Sequence, residues 1–171
     1  TLTDTLVGLS VMAKGHTMAL FTSYRALRIV ASELRKRLAS TGITVLEQLV
    51  DGTADQLSNK FVEDPHSILL GTSSFWEGVD LGNQSLKILV MTRLPFNVPS
   101  DPIFSARSSR YDKPFVQFSV PQAILRFRQG FGRMIRSKED RGAIIVLDGR
   151  ISTKSYGKLF VNSLPGPAIS N

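Results

Sequence analysis

The residues with the clearest chemical potential form a run of glutamine, glycines and arginines at 129–136, Gln-Gly-Phe-Gly-Arg-Met-Ile-Arg. At about 100° per residue, a helix through this run has one polar face. That face consists of Arg126, Gln129, Arg133 and Arg136. No Asp or Glu occurs between Lys113 and Lys138 to pair with these arginines. Guanidinium groups beside bare glycine backbone suit a polyanion such as a nucleotide triphosphate, although a solvated basic face explains the pattern equally well.

A second group of polar side chains follows the apolar run Ser67–Gly71, which predicts a buried strand. Residues 72–80 have the sequence Thr-Ser-Ser-Phe-Trp-Glu-Gly-Val-Asp. Hydroxyl groups just past a strand bond phosphate oxygens or cap a helix with equal ease. Asp80, two residues after Gly78, is placed to bond a ribose hydroxyl or to stabilise a turn. Taken alone, the loop is best explained as a capped turn with Trp76 packed beneath it.

Two further loops carry polar groups whose expected roles are structural. Ser23 precedes an amphipathic segment and is predicted to cap the helix that begins there. Asp148 and Arg150 flank Gly149, directly after the apolar run Ala143–Leu147. We expect an ion pair between Asp148 and Arg150 or another neighbour, in preference to a catalytic role for this carboxylate.

The elements that must position these loops alternate between apolar runs and amphipathic segments. The predicted strands cover 17–22, 44–49, 67–71, 86–91 and 143–147. The predicted helices cover 1–14, 24–40, 54–63, 121–136 and 154–162. Continuously apolar strands are buried on both faces, and their alternation with helices predicts a mainly parallel sheet. We therefore predict a three-layer α/β domain of about five or six strands, with ligands at the carboxyl ends of the strands.

The stretch 92–119 carries four prolines and no strong periodicity. Connections of this length are uncommon in compact domains and are often functional. We therefore predict a long irregular connection here.

Composition limits the classes of function. With 171 residues, 42% of them hydrophobic and 20% charged, the chain is expected to form one globular domain. No apolar run approaches the ~20 residues of a membrane span and no signal-peptide pattern is seen, so we expect a cytoplasmic protein without a membrane partner. The chain has no cysteine, and His16 and His66 are far apart in sequence, so no metal site is predicted. A net charge of +7 and a pI of about 10.1 favour a polyanionic partner.

The sequence lacks the machinery that usually binds and activates a nucleotide. It has no Gly-x-x-x-x-Gly-Lys-Ser/Thr phosphate loop, no dinucleotide fingerprint and no Gly-x-Ser-x-Gly nucleophile elbow. No residue set suited to holding Mg²⁺ or activating water is evident either. The sequence therefore has arginines suited to a phosphate but lacks the residues that bind and activate a nucleotide. This combination is typical of one half of a nucleotide site. Such arginines would act in trans on a phosphate loop of another domain.

Several segments together resemble one known family. Ser74–Asp80 (SFWEGVD) and Gln129–Arg136 (QGFGRMIR) look like motifs V and VI of superfamily 2 helicases of the XPD/DinG type. Leu94–Pro102 (LPFNVPSDP) and the segment 147–165 (LDGRI…YG…F…SLP) are similar to bacterial DinG proteins, and Ala19–Leu27 (ALFTSYRAL) has the character of motif IV. The resemblance implies that residues 1–171 form a second, C-terminal RecA-like helicase domain. The phosphate loop and the acidic Mg²⁺ motif would then lie on a preceding domain of the same protein.

In that family, ATP binds between the two domains. The resemblance implies that Arg136 is the arginine finger facing the γ-phosphate, with Arg133 beside it. Gln129 is implied to orient the phosphate or the attacking water. An arginine finger accelerates phosphoryl transfer by roughly 10³–10⁵-fold, so Arg136 is the implied principal catalytic residue.

The resemblance also implies a set of residues that face DNA. In the family, motif V links the nucleotide to DNA. The corresponding residues here are Glu77, Gly78 and Asp80, and Asp80 is implied to lie on the nucleotide side. Contacts nearer the DNA backbone correspond to Thr72, Ser73 and Ser74. The long connection contains the basic residues Arg93, Arg107, Arg110 and Lys113. These residues either line the path of the DNA or are simply solvated.

The implied ligands are ATP with Mg²⁺, both held mainly by the preceding domain, and single-stranded DNA, along which the motor moves 5′ to 3′. The chain alone is then expected to be inactive. Two other functions stay open. One is a nucleic-acid-binding module without nucleotide chemistry, and the other is the helicase-like domain of a DinG-type exonuclease that does not unwind DNA.

Overall fold

A computed structural model describes residues 1–72, 75, 86–97, 100–132, 134 and 141–164. In chain order the elements are α1 (Leu2–Met12), β1 (Thr17–Leu20), α2 (Tyr24–Leu38), β2 (Thr44–Glu47), α3 (Ala54–Glu63), β3 (Ser67–Gly71), β4 (Ile88–Met91), α4 (Pro102–Ser108), a π-helical turn (Phe115–Ser119), α5 (Val120–Phe131), β5 (Ala143–Val146), α6 (Arg150–Thr153) and α7 (Gly157–Asn162). None of the helices in these ranges is long and apolar enough to cross a membrane.

The five described strands form one parallel sheet in the order β2-β3-β1-β4-β5. The register pairs Leu20 of β1 with Gly71 of β3 and with Met91 of β4, so these three strands end level with one another. From β1 the chain crosses to β2 at one edge of the sheet, whereas from β4 it continues to β5 at the other edge. The carboxyl ends of β1 and β4 therefore flank a topological switch point, where open α/β sheets bind ligands.

Helices cover both faces of this sheet, because successive strand residues point to opposite sides. On one face, Leu20 belongs to a buried cluster with Phe61 of α3, Phe127 of α5 and Phe160 of α7. On the other face, Ala19 belongs to a cluster with Leu6 of α1 and Leu27 of α2. Burying each large apolar side chain contributes roughly 1.5–3 kcal/mol. The predicted three-layer α/β architecture with a parallel sheet is confirmed.

Local sequence explains where the helices begin. Thr53 and Gln56 form a reciprocal capping box at the start of α3, and the Asp101 side chain accepts a hydrogen bond from the backbone N–H of Phe104 at the start of α4. Ser23 occupies the N-cap position of α2, as predicted, but its hydroxyl makes no capping hydrogen bond. The predicted position of Ser23 at the start of the helix is right, but the prediction that its side chain caps the helix is wrong.

The structure differs from the sequence-based expectations in the second half of the chain. The stretch 92–119 is not uniformly irregular, since it contains α4 and the π-helical turn. Pro102 starts α4 instead of breaking a helix, because the first helical turn needs no proline N–H. α5 ends at Phe131 with Gly132 as its cap, short of the predicted end at Arg136.

His16 and His66 are neighbours in space, contrary to what their sequence separation suggested. Their ring centroids lie 6.5 Å apart, because each histidine just precedes one of two paired strands, β1 and β3. Within the described ranges, no group of three or more His, Cys, Asp or Glu side chains is arranged to hold a metal ion.

Candidate nucleotide and nucleic-acid interface

Thr72 follows β3 at the carboxyl edge of the sheet, and its polar groups bond inside the protein. Its backbone N–H and its hydroxyl both donate to Oε1 of Gln48, at 2.7 and 3.0 Å. Thr72 is 3% exposed and Gln48 is 4% exposed. Thr72 therefore holds the end of β3 to the residue that follows β2, and its predicted contact with the DNA backbone stays a prediction.

Phe75 fixes the same segment from the other side. Its ring is fully buried and lies so close to Gly71 that a Cβ there would be 2.3 Å from a ring carbon. Its backbone N–H donates to the Thr72 carbonyl at 3.0 Å. Only glycine at position 71 leaves room for this packing, which holds Phe75 against the end of β3.

Arg93 is an exposed cation at the switch point. Thr92 follows β4, and its backbone N–H and hydroxyl donate to the Leu20 carbonyl of β1 at 3.0 and 2.9 Å. Arg93 comes next and is exposed. No carboxylate in the described part of the chain forms an ion pair with Arg93. Its guanidinium is therefore available to an anionic ligand at the switch point.

Asp148 and Arg150 form the ion pair that the sequence predicted after β5. Nη2 of Arg150 lies 2.6 Å from Oδ2 of Asp148, and Nε lies 2.9 Å from Oδ1. Oδ2 also accepts a hydrogen bond from the backbone N–H of Leu94 at 2.9 Å. Burial by itself would raise the pKa of Asp148, but the hydrogen bonds from Arg150 and Leu94 outweigh it and lower the pKa to about 2. The hydrogen bond to Asp148 in turn raises the pKa of Arg150.

A pocket of 290 Å³ lies between the loops after β4 and β5. Its lining consists of Thr92, Arg93, Leu147, Asp148, Gly149 and Arg150. The Arg150 guanidinium also lies over the ring of Phe96, 5.3 Å from its centroid. Because Asp148 neutralises Arg150, Arg93 supplies the uncompensated positive charge of this pocket.

The exposed residues of α5 overlap only in part with the predicted polar face, since Leu125 and Arg128 are exposed as well. Val120, Ala123, Phe127 and Gly130 form the buried stripe of the helix. Gln129 is exposed in the last turn, and Arg126 is half-buried.

The end of α5 lies away from the carboxyl edge. Met134 is buried beside Gly142, where a Cβ would be 2.5 Å from the Met134 sulfur and 2.8 Å from the Lys87 carbonyl oxygen. Lys87 and Gly142 immediately precede β4 and β5. Met134 thus lies near the amino edge of the sheet, while Thr72 and Arg93 lie at the carboxyl edge.

Other residues with a predicted role lie outside the described residues, namely Ser73, Ser74, Trp76, Glu77, Gly78, Asp80, Arg133 and Arg136. Sequence reasoning missed Gln48 as the partner of Thr72. The available signal was a polar residue near the end of the predicted strand 44–49, but its pairing depends on the sheet order.

This fold is also found in a helicase of known structure. The chain matches a solved structure of an XPD helicase with a TM-score of 0.68, covering 95% of this chain and 30% of that one at 21% identity. At this identity the match establishes the fold, and it confirms the predicted RecA-like architecture. Residues 6–166 match the family model described as the helicase C-terminal domain, and the chain belongs to this family.

Curated relatives agree with the predicted kinship to DinG-type proteins. The chain is 40% identical to the 3′-5′ exonuclease DinG of Bacillus subtilis (strain 168), covering 98% of this chain and 19% of that protein. It is 36% identical to the ATP-dependent DNA helicase YoaA of Escherichia coli (strain K12), covering 88% and 24%. It is 40% identical to the ATP-dependent helicase DinG of Mycobacterium tuberculosis (strain ATCC 25618 / H37Rv), covering 90% and 23%. The chain spans about a fifth to a quarter of these relatives.

Proposed function

We propose that this chain is the second motor domain of a cytoplasmic ATP-dependent DNA helicase. In this proposal a preceding domain holds ATP and Mg²⁺, and the chain alone is inactive. The observation that carries the proposal is membership of the helicase C-terminal domain family across residues 6–166. The absence of a phosphate loop from the sequence supports an arrangement in which the nucleotide is bound elsewhere.

The nucleotide side of the proposal rests on the run that begins at Gln129. This glutamine is exposed in the last turn of α5, where a second domain has access to it. Arg136 serves as the arginine finger, Arg133 contacts the γ-phosphate beside it, and Gln129 orients the phosphate or the attacking water. The finger supplies roughly 10³–10⁵-fold in the rate of hydrolysis.

The DNA side of the proposal rests on the carboxyl edge of the sheet. Arg93 is exposed there and has no ion-pair partner among the described residues. Thr72, buried against Gln48, fixes the start of the segment in which Ser73 and Ser74 contact the DNA backbone. The residues that link this edge to the nucleotide are Glu77, Gly78 and Asp80.

The proposed mechanism is a cycle of closure and opening. ATP draws the two domains together, the arginines sense the γ-phosphate, and hydrolysis releases them. The affinity of each domain for single-stranded DNA changes in turn, and this alternation moves the motor 5′ to 3′. Phosphate contacts dominate this binding, so the affinity is salt-dependent and largely independent of sequence.

The test is DNA-stimulated ATP hydrolysis by the full-length protein, with single-stranded DNA binding measured on the same samples. We expect Arg136→Ala to lower turnover by roughly 10³-fold or more while DNA binding survives. Arg128→Ala is the matched control, because Arg128 is an exposed arginine of α5 that lies just before the run 129–136. Unchanged turnover, or a loss only in step with DNA affinity, would show that Arg136 is a DNA contact. The domain would then be a nucleic-acid-binding module without nucleotide chemistry.

One relative favours a second candidate function. The Bacillus subtilis relative is named an exonuclease, and this chain covers a smaller share of it than of the relatives named helicases. In that case the chain is the helicase-like domain of a nuclease that degrades DNA without unwinding it. Shortening of an end-labelled single strand by the full-length protein, without separation of a duplex in the presence of ATP, would select this alternative.

A further inference from the structure

Two stacked aromatic pairs project from the π-helical turn that precedes α5. Phe115, the first residue of the turn, stacks on Phe96 with ring centroids 5.7 Å apart and planes inclined by 17°. Phe118, three residues later, stacks on Tyr111 with centroids 5.3 Å apart and planes inclined by 23°. Each pair is close to parallel, which is one of the two arrangements that aromatic rings prefer.

In each pair the inner ring is partly buried and the outer ring is presented to solvent. Phe96 and Phe118 are half-buried, whereas Phe115 is 48% exposed and Tyr111 is 42% exposed. The inner rings are held in turn by other aromatic groups: Phe96 by Phe160, with centroids 5.8 Å apart, and Phe118 by Phe104, with centroids 5.1 Å apart. The outer rings are therefore pre-oriented, and ordering them on binding costs little further entropy.

Three cations accompany these rings in the same segment. Arg107 lies in the last turn of α4, and Arg110 and Lys113 flank Tyr111 in the turn that follows. None of the three forms an ion pair with a carboxylate in the described part of the chain. Their charge is therefore available to an anionic partner.

Residues 107–118 form an aromatic segment, and this segment adjoins the pocket at the carboxyl edge. Phe96, the inner ring beneath Phe115, also lies under the guanidinium of Arg150, which lines that pocket together with Arg93. Phe96 therefore connects the exposed ring of Phe115 to the pocket that contains Arg93.

We propose that Tyr111 and Phe115 are platforms on which bases of single-stranded DNA stack, while Arg107, Arg110 and Lys113 hold the adjoining phosphates. The inference rests on the proposed function and adds to it the residues that contact the bases. Proteins that bind single strands without sequence preference combine these two features, a cationic path and exposed aromatic faces. A duplex does not satisfy the site, because its bases are already stacked on one another.

The experiment measures binding of the full-length protein to two labelled strands of equal length. One is an oligo(dT) strand, and the other has the same phosphates but abasic sugars in place of nucleosides. The variants are Tyr111→Leu and Phe115→Leu, which keep an apolar side chain against the inner ring and so limit any loss of folding. Ile29→Ala is the control, because Ile29 is 64% exposed on α2, far along the chain from the aromatic segment.

We expect each leucine variant to bind oligo(dT) roughly 5- to 150-fold more weakly than wild type, the range of one lost stacking contact. Binding of the abasic strand should be the same for wild type, the two leucine variants and Ile29→Ala. Equal losses on both strands, or no loss on oligo(dT), would overturn the inference, and the aromatic surface would then belong to a protein partner or to packing. Failure of the wild-type protein to bind oligo(dT) at all would instead contradict the proposed function.

Discussion

The carboxylate of Asp148 lies against the guanidinium of Arg150, with 2.6 Å between Oδ2 and Nη2. The same Oδ2 accepts the backbone N–H of Leu94, 54 residues earlier in the sequence. This carboxylate therefore joins the loop after β5 to the loop after β4. The pocket that contains Arg93 owes its shape to that connection.

Replacing Asp148 with asparagine should lower the free energy of unfolding by about 2 kcal/mol, the size of a lost hydrogen bond to a charged group. Asparagine keeps the volume of the side chain but removes the charge that Arg150 contacts. Urea unfolding of the two proteins measures the difference. Glu63→Gln is the control, because Glu63 is exposed at the end of α3 and forms no ion pair with the described residues. Equal unfolding free energies for wild type and Asp148→Asn would show that the pair contributes nothing to stability.

The same carboxylate predicts a pH dependence. Its pKa is about 2 in the folded protein, below the ordinary value of 3.8, so between these values the unfolded chain binds the proton more readily. The contribution of Asp148 is therefore complete above about pH 4 and is lost as the pH falls toward 2. We expect the difference in unfolding free energy between wild type and Asp148→Asn to shrink from pH 6 to pH 3. A difference that stays constant over this range would mean that the pKa of Asp148 is not lowered in the folded state.

Arg93 and Arg150 line one pocket but should respond differently to replacement. Arg93→Gln should weaken single-stranded DNA binding and reduce the slope of log affinity against log salt by about 0.7, the value for one phosphate contact. Its unfolding free energy should change little, because Arg93 is exposed and has no ion-pair partner in the described residues.

Arg150→Gln should instead lower stability, since Asp148 is 8% exposed and would lose its countercharge. Binding titrations at several salt concentrations, paired with urea unfolding, separate the two effects. If Arg150→Gln lowered the salt slope and left stability unchanged, Arg150 would be the phosphate contact and would not be needed to neutralise Asp148.

Two glycines provide a matched test of packing at the end of β3. Gly71→Ala should destabilise the protein by about 1–3 kcal/mol, because the new Cβ would meet the Phe75 ring at 2.3 Å. Gly8→Ala adds the same methyl group within α1, where the new Cβ would meet no atom within 4 Å beyond its chain neighbours and the backbone of its own helix. That variant should gain up to about 1 kcal/mol from helix propensity. The measurement is the melting temperature of each variant, and a Gly71→Ala protein as stable as wild type would show that Phe75 moves aside freely.

The sequence was most informative where a local rule set the structure. The limits of β3 and α3 agree with those predicted, because an unbroken apolar run defines the first and a capping box starts the second. The pairing of Asp148 with Arg150 also followed from neighbours in the sequence.

Long-range packing explains what the sequence did not predict. Apolar residues continue after Phe131 at helical spacing, so periodicity alone extended α5 too far. Met134 packs beside Gly142, which precedes β5, and this contact depends on where the next strand begins. Thr72 bonds to Gln48 only because β2 and β3 are adjacent, and sheet order is not written in any local pattern.

The π-helical turn and α5 form one unbroken helical segment from Phe115 to Phe131. At about 1.5 Å per residue this segment is roughly 25 Å long. One end carries the stacked aromatic rings, and the other carries Gln129. This one segment therefore joins the proposed nucleotide side of the domain, at Gln129, to the proposed base-stacking ring of Phe115.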